Sequence, residues 1–245
     1  MTPDLTLATM RRVLSQLRHD RRTIALLIFV PMVLLGLIAW MFHSSPAPVI
    51  DQFGPVLVGF FPLLVMFIVT SVATLRERTG GTLERLMTMP LGKGDFVVGY
   101  ALAFAVMALV QSVVVVLWAI WVCGMNVAGP VWLLFVVAIL SAVLGCTLGL
   151  AASALARTEF QAVQLMPAFL LPQLLLCGLI MPRDQMPEVL QWISRVLPLT
   201  YAVEAMQKIA AGGGWEETRG AIGVLVLFIV GAVALATTTL RRRTE

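Results

Sequence analysis

Charged side chains are scarce in this 245-residue sequence, and the whole of 96–156 contains none. Only 12% of the residues are charged and 60% are hydrophobic, whereas a soluble domain usually has about 25% charged residues. Water would meet the excess apolar surface of a soluble fold, but lipid accommodates it without penalty. The composition therefore predicts an integral membrane protein.

The apolar stretches also lack the ionisable residues that coupled carriers need. Proton- and ion-driven carriers bind and release charge at membrane depth through Asp, Glu, His, Lys or Arg. The only two histidines, His19 and His43, lie outside the apolar runs. This pattern argues against secondary transport, and equally against a redox or proton-pumping subunit with histidine ligands.

Three chemical motifs are missing as well. No Gly-rich loop ends in Lys-Ser or Lys-Thr, so the chain has no usual phosphate cradle for ATP. No Gly-x-Ser-Gly with a partner histidine supports an intramembrane serine protease. The cysteines Cys123, Cys146 and Cys177 form no CxxC pair, so we expect packing roles for them. We expect no catalytic residue, metal or cofactor in this chain, and any driving ATP must be hydrolysed by another polypeptide.

Six apolar runs dominate the chain, at 24–42, 54–75, 96–123, 131–155, 160–181 and 220–240. Each supplies the roughly 20 residues that a helix needs to cross a hydrocarbon core of about 30 Å. We therefore expect an all-α integral membrane fold with six transmembrane helices in a single domain. Its parts would be a cytoplasmic amphipathic helix at 1–23, a six-span bundle at 24–240 and a cytoplasmic tail at 241–245.

Basic residues are unevenly shared between the connections. Thirteen of the 17 Lys and Arg residues lie on the side that holds both termini, and none lies in 43–53 or 124–130. The positive-inside rule then places both termini in the cytoplasm. Small clusters beside apolar runs mark membrane flanks rather than nucleic-acid binding.

Two segments outside the runs carry apolar stripes. Residues 5–22 have Leu7, Met10, Leu14 and Leu17 at helical spacing, which predicts a helix along the cytoplasmic surface, with a disordered basic tail as the alternative. In 182–219, Pro187 could open one short helix and Pro198 could end it before a second. We expect a re-entrant hairpin in the outer leaflet with Val189, Leu190, Ile193, Val196 and Leu197 facing inward, or otherwise a solvated loop.

Uncharged polar residues within the runs are candidates for a substrate path. They would either line a route for an amphipathic substrate or form interhelical hydrogen bonds worth about 1 kcal/mol each. The candidates are Gln111, Thr147, Gln161, Gln164 and Gln173. Gly145 and Gly149 form a small-xxx-small pair, which predicts close helix packing.

The connection between the second and third runs has the pattern of a short amphipathic helix. Gly80 and Gly81 would end the preceding transmembrane helix. Thr82 can cap the short helix, and Glu84 lies in its first turn. Leu83, Leu86 and Met87 form an i, i+3, i+4 stripe that Pro90 ends. An apolar stripe beside Glu84 and Arg85 suits contact with a partner's groove, and a plain structured loop is the alternative.

Two stretches resemble the ABC-2 type permeases, particularly the branch of drug and antibiotic-resistance exporters. They are RERTGGTLERLMTMPLGKGDFVVGY at 76–100 and LLPQLLLCGLIMPRDQMPEVLQWISRVLPLTYAVEAM at 170–206. The second resembles the family's fifth span and outer hairpin. Its candidate residues are Pro187, Trp192, Pro198, Tyr201 and Glu204.

The resemblance implies partners and site residues. It implies two ABC ATPase subunits that bind ATP and Mg²⁺, and a second permease copy that is identical or different. It matches Glu77 to a recurring acid, places Arg78 beside it, and makes the N-terminal helix a second ATPase contact. It assigns ATPase coupling to Thr82, Leu83, Glu84, Arg85, Leu86 and Met87.

The expected function is therefore multidrug-type export across a bacterial plasma membrane. The permease would move an apolar or amphipathic substrate by alternating access, in contact with membrane lipid and not with nucleic acid. Export of a polysaccharide or cell-wall polymer is an alternative, although only two tyrosines are present to line a sugar channel. A non-transport membrane scaffold or sensor is a further alternative.

Overall fold

The structure, a computed structural model, describes residues 3–43, 49–80, 93–179 and 181–239. Within these ranges the chain is almost entirely helical and contains no β-strand. The α-helices are α1 (Pro3–His19), α2 (Arg21–Met41), α3 (Val49–Thr79), α4 (Lys93–Trp121), α5 (Val131–Leu155), α6 (Glu159–Leu176), α7 (Glu188–Val196), α8 (Pro198–Ala210) and α9 (Trp215–Thr239). One 3-10 turn, Arg183–Gln185, precedes α7. The predicted all-α fold is confirmed.

Five of these helices are long and apolar enough to cross a membrane: α2, α3, α4, α5 and α9. This confirms a multi-pass membrane protein. The predicted fifth run differs, because its helix α6 has only 18 residues and contains three glutamines and two prolines. It ends at Leu176 rather than near Met181, so it is about 27 Å long at 1.5 Å per residue. A crossing by α6 stays a prediction.

Helices α3 and α5 form the most extensive contact in the described bundle. A Cβ atom at Gly145 would overlap the carbonyl oxygen of Leu63, and one at Gly149 would lie 2.5 Å from that of Phe67. The backbones therefore touch without intervening side chains, as small residues permit. The packing role predicted for the two glycines is confirmed.

Helix α1 packs on the start of α4 with a face that includes most of the predicted stripe, since Met10, Leu14 and Leu17 belong to or pack against the core cluster there. Its buried residues are Thr6, Thr9, Val13 and Leu17. Leu7, the remaining residue of the predicted stripe, is 44% exposed. The reason lies in Gly99 of α4, where an added Cβ would come within 2.7 Å of the Thr9 side chain. A glycine opposite a threonine lets the helices approach more closely than a leucine would.

The connections gather at the two ends of the bundle. At one end, Asp51 accepts a hydrogen bond from the backbone N–H of Asn126 at 2.7 Å, and Gly129 donates to the carbonyl of Ile209 at 3.0 Å. At the other end, Arg76 and Glu159 form a two-point ion pair, with N···O distances of 2.8 and 2.9 Å. The ion pair fixes the start of α6 beside the end of α3.

The hairpin between α6 and α9 begins and ends close to the predicted positions. Pro187 precedes α7, and α8 ends before Gly212, whose φ of +99° suits a glycine after a helix. Pro198 is the first residue of α8 rather than a break before it, because a proline fits the first turn of a helix.

The direction of the α7 stripe was predicted wrongly. Its apolar residues point away from the protein, and Val189 and Val196 are both 69% exposed. Ser194 is buried in their place. The inward apolar face belongs to α8, whose Leu199, Val203 and Met206 are buried in the main core.

Candidate functional site

The predicted coupling residues lie outside the described part of the chain, as Thr82, Leu83, Glu84, Arg85, Leu86 and Met87 all fall within 81–92. Their helical conformation and their contact with an ATPase stay predictions. The structure does describe what surrounds this segment, because α3 ends just before it and α4 begins just after it.

A polar network joins α1, α3 and α4 beside that segment. The Nη2 atom of Arg12 lies 3.7 Å from Oε1 of Glu77 and donates a 2.8 Å hydrogen bond to the hydroxyl of Tyr100. Nε2 of Gln16 donates to the same Glu77 oxygen at 3.3 Å. The Glu77 side chain is only 13% exposed, so burial strengthens these charge-assisted contacts. The network ties the N-terminal helix to the end of α3.

Sequence reasoning identified one member of this network and missed the others. Glu77 was a candidate through the family resemblance, whereas Arg12 was counted only as one of a basic cluster. Tyr100 is one of two tyrosines in the chain and lies in an apolar run. A single tyrosine in an apolar run could have predicted a polar contact, because a buried tyrosine hydroxyl usually has a hydrogen-bond partner. The Arg78 side chain is outside the described set.

The substrate-path candidates do not converge on one channel within this chain. Thr147 donates to the carbonyl of Leu144 at 2.9 Å inside α5. Gln161 accepts from the backbone N–H of Arg157 at 2.9 Å at the start of α6. Gln164 is exposed on α6. Thr147 and Gln161 thus form hydrogen bonds within a helix or at a helix end. Their part in a substrate path stays a prediction.

Gln173 and Gln111 are the two deeply buried glutamines of that set. Gln173 donates to the carbonyl of Phe169 at 3.0 Å and accepts from the backbone N–H of Leu199 at 3.3 Å, so it joins α6 to α8. Gln111 is fully buried in α4, and neither atom of its amide has a hydrogen-bond partner. A fully buried, unpaired amide is costly.

The outer-hairpin candidates act as connectors. Tyr201 donates from its hydroxyl to the carbonyl of Arg195 at 2.7 Å, which joins α8 to α7. Glu204 bridges Arg183 at 3.1 Å and Lys208 at 2.7 Å. Trp192 is exposed, with the guanidinium of Arg195 4.7 Å from its ring centroid. Their arrangement suits a rigid cap on the bundle.

Across 3–43, 49–80, 93–179 and 181–239, no group of three His, Cys, Asp or Glu residues is placed to hold a metal ion. The polar groups join helices to one another. The comparison with known proteins decides the family.

The sequence matches the ABC-2 type transporter family over residues 4–210. The chain belongs to the ABC-2 type transporter family. This match covers most of the chain and agrees with the resemblance of the two stretches at 76–100 and 170–206. The protein is thus a membrane-embedded part of an ABC transporter, in the class of permeases.

Curated relatives of this ABC-2 protein include named permeases. It is 28% identical over 197 residues to ABC transporter G family member 20 of Dictyostelium discoideum, covering 79% of this chain and 27% of the relative. It is 28% identical over 155 residues to the probable multidrug ABC transporter permease YbhR of Escherichia coli K12, covering 63% and 42%. It is 29% identical over 174 residues to the linearmycin resistance permease protein LnrN of Bacillus subtilis, covering 69% and 45%. The ABC-2 chain spans less than half the length of each of these three.

Reversing the charge of Arg12 is expected to destabilise the protein. Arg12→Glu would place a second carboxylate against the half-buried Glu77, at a cost of about 2 kcal/mol for a partly exposed pair. That loss corresponds to a fall of about 4–8 °C in melting temperature for a chain of this size. Thermal unfolding of the purified protein in detergent measures it.

The neighbouring residue supplies the matched control. Arg11 is exposed on the other face of α1, so Arg11→Glu should change the melting temperature by less than about 2 °C. The double variant Arg12→Glu/Glu77→Arg should recover part of the loss. Equal shifts in Arg11→Glu and Arg12→Glu would show that the network contributes nothing specific.

Proposed function

We propose that this ABC-2 subunit is the membrane half of an ATP-driven exporter for an apolar or amphipathic cargo. The observation that carries the proposal is the family match over residues 4–210, taken with relatives named as multidrug and antibiotic-resistance permeases. The lack of ionisable residues in the central stretch 96–156 supports a cargo without many fixed charges.

The proposed orientation rests on opposite residue types at the two ends of the bundle. Tryptophans collect at the end where α2 and α4 finish and α5 and α9 begin, and those that are exposed are Trp40, Trp121, Trp132, Trp192 and Trp215. Arginines of α1 and the end of α3 collect at the opposite end. Trp favours membrane interfaces and Arg favours the cytoplasmic side, which supports cytoplasmic termini in a bacterial plasma membrane.

Helix α6 is proposed as the sixth crossing. It starts beside the arginine-rich end, at the Arg76–Glu159 ion pair, and it leads to Arg183, which pairs with Glu204 at the tryptophan-rich end. Its length of about 27 Å nearly matches a hydrocarbon core of about 30 Å. With α6 counted, the bundle has the six spans and the outer hairpin predicted from the sequence.

Cysteine labelling tests both the orientation and the sixth crossing. In a variant with the three native cysteines replaced by alanine, Arg157→Cys and Asp184→Cys lie at exposed positions on either side of α6. A membrane-impermeant maleimide applied to intact cells should label Asp184→Cys and leave Arg157→Cys unlabelled until the cells are opened. Equal labelling of both in intact cells would rule out a crossing by α6.

The partners proposed are two ATPase subunits and a second permease copy. Each ATPase would receive the apolar stripe of the coupling segment, Leu83, Leu86 and Met87, and would bind the ATP and Mg²⁺. The second copy, identical or different, suits the broad exposed face of α6, which includes Gln164, Leu171 and Leu175. Nucleotide binding would then drive alternating access, since it favours one of the two conformations.

Purification of the complex tests the partner proposal. A tagged chain isolated gently from its native membrane should bring down an ABC ATPase in equal numbers, with ATP hydrolysis in the eluate. A catalytically inactive ATPase should still co-purify, because assembly does not need hydrolysis. Recovery of the chain without any nucleotide-hydrolysing subunit would contradict the proposal.

A further inference from the structure

A cavity of about 640 Å³ lies at the arginine-rich end of the bundle, between the junction of α1 with α2 and the facing sides of α3 and α4. Its walls are apolar and include Leu26, Val30, Leu64, Ile68 and Phe104. A mostly apolar pocket with a few convergent polar groups is the usual form of a small-molecule site.

The polar groups of this cavity are confined to one end. The polar residues that line that end are Gln16, Asp20, Thr23, Arg76, Glu77 and Tyr100. The wall then follows α3 from Glu77 back to Leu64, thirteen residues or about 20 Å at 1.5 Å per residue. The cavity therefore has the polarity of an amphipathic molecule, with room for a head at one end and a tail along the helix.

The cavity opens toward lipid rather than into the protein. Leu26 belongs to its wall and is 61% exposed. Phe29 and Val33, farther along α2, are also exposed, as expected of a helix surface that meets acyl chains. A molecule in the membrane can thus reach the cavity by moving sideways past α2.

Nε of Arg12 and Oε2 of Glu77 both lack a hydrogen-bond partner, and of these two residues only Glu77 lines the cavity. Oε2 of Glu77 is buried and has no hydrogen-bond partner, whereas Oε1 lies near Arg12 and Gln16. The guanidinium of Arg76 is already occupied by Glu159. The head group that this end favours is therefore a hydrogen-bond donor with positive charge, because a buried carboxylate oxygen gains most from such a partner.

We propose that this cavity binds an amphipathic molecule with a protonated amine and one apolar tail, taken from the leaflet next to α1. The amine donates to Oε2 of Glu77, and the tail lies along α3 between Ile68 and Leu64. The same chemistry is offered by an aminophospholipid, which can place one of its chains there, and by a free alkylamine. Binding needs no ATPase, so a binding experiment tests this inference independently of the proposed export function.

Photolabelling of the full chain tests the site. The protein is placed in phosphatidylcholine nanodiscs with a long-chain alkylamine that carries a diazirine near the end of its tail. The alcohol and the carboxylate of the same chain are the matched probes. The amine should label peptides of α2 and α3 that line the cavity at least tenfold more than the other two probes do, and excess unlabelled alkylamine should compete.

Three variants separate the head-group contact from general folding. Glu77→Gln keeps the shape but removes the charge, and should weaken amine labelling about tenfold or more. Ala73→Phe fills the cavity wall and should remove labelling by the tail. Asp4→Asn alters an exposed carboxylate of α1 that does not line the cavity, and should leave the labelling unchanged.

Lipid replacement identifies the source of the amine. If phosphatidylethanolamine added to the nanodiscs competes with the probe, the natural occupant is an aminophospholipid, and if it does not, the site is for single-chain amines. Either result supports the proposal. Equal labelling by amine, alcohol and carboxylate in the wild-type protein, or full labelling after Ala73→Phe, overturns it.

Discussion

Gly145→Ala is expected to lower the melting temperature of the purified protein by about 6–12 °C, a loss of about 3 kcal/mol. The added Cβ atom would overlap the carbonyl oxygen of Leu63 in α3. Backbone cannot move aside as a flexible side chain can, so α3 and α5 must separate along their central contact. Thermal unfolding in detergent, followed by the loss of the monodisperse protein peak, measures the shift.

The control uses the same substitution on another spanning helix. A Cβ at Gly223 in α9 meets nothing within 4 Å, and alanine favours a helix over glycine by about 1 kcal/mol. Gly223→Ala should therefore keep or slightly raise the melting temperature. A Gly145→Ala protein as stable as Gly223→Ala would mean that α3 and α5 are not in backbone contact.

Loss of all substrate export is expected for Leu86→Asp, with membrane insertion intact. Leu86 is central to the apolar stripe of the coupling segment, and a carboxylate there would have to be buried without a partner in the ATPase groove. Such burial costs several kcal/mol, enough to abolish the association. Glu84→Lys should act in the same direction by reversing the charge that fixes the orientation of the contact.

The conservative variant at the same position separates coupling from folding. Leu86→Met keeps an apolar side chain of similar volume, a change that usually costs less than about 1.5 kcal/mol, and should retain export. Co-purification of the ATPase and substrate efflux from cells are the two readouts. Wild-type efflux by both Leu86→Asp and Glu84→Lys would remove the role assigned to this segment.

The spanning helices were predictable because lipid imposes a single strong requirement. Every backbone polar group must be satisfied within the span, so run length alone placed α2, α3, α4, α5 and α9 to within a few residues. The close contact at Gly145 and Gly149 was also predictable, since only small residues permit it. Each of these features depends on a single segment of sequence or on the spacing of two glycines, so the sequence alone is enough to predict it.

The faces of the short helices were less predictable. An apolar stripe shows that a helix is amphipathic, but it does not show whether the stripe meets protein or lipid. The stripe of α7 with Val189 and Val196 was assigned to the protein and faces outward, while α1 buries Thr9 because Gly99 is opposite. In a membrane both surroundings are apolar, and the pattern cannot distinguish them.

The contacts of the candidate site were the hardest feature to predict, because they join distant parts of the chain. Arg12, Glu77 and Tyr100 meet only once three helices are packed. Gln173 was a candidate for a substrate path or for an interhelical hydrogen bond, and it accepts a hydrogen bond from the start of α8. A polar side chain in an apolar run shows that a partner is needed, and only the fold shows which one.

The central proposal is that a separate ATPase drives this permease. Proteoliposomes containing the chain alone, the chain with its ATPase, and the chain with a hydrolysis-deficient ATPase, each loaded with a lipophilic fluorescent dye, test it most directly. We expect ATP-dependent dye movement only with the active ATPase. Equal movement by the chain alone, without ATPase or nucleotide, would contradict the claim.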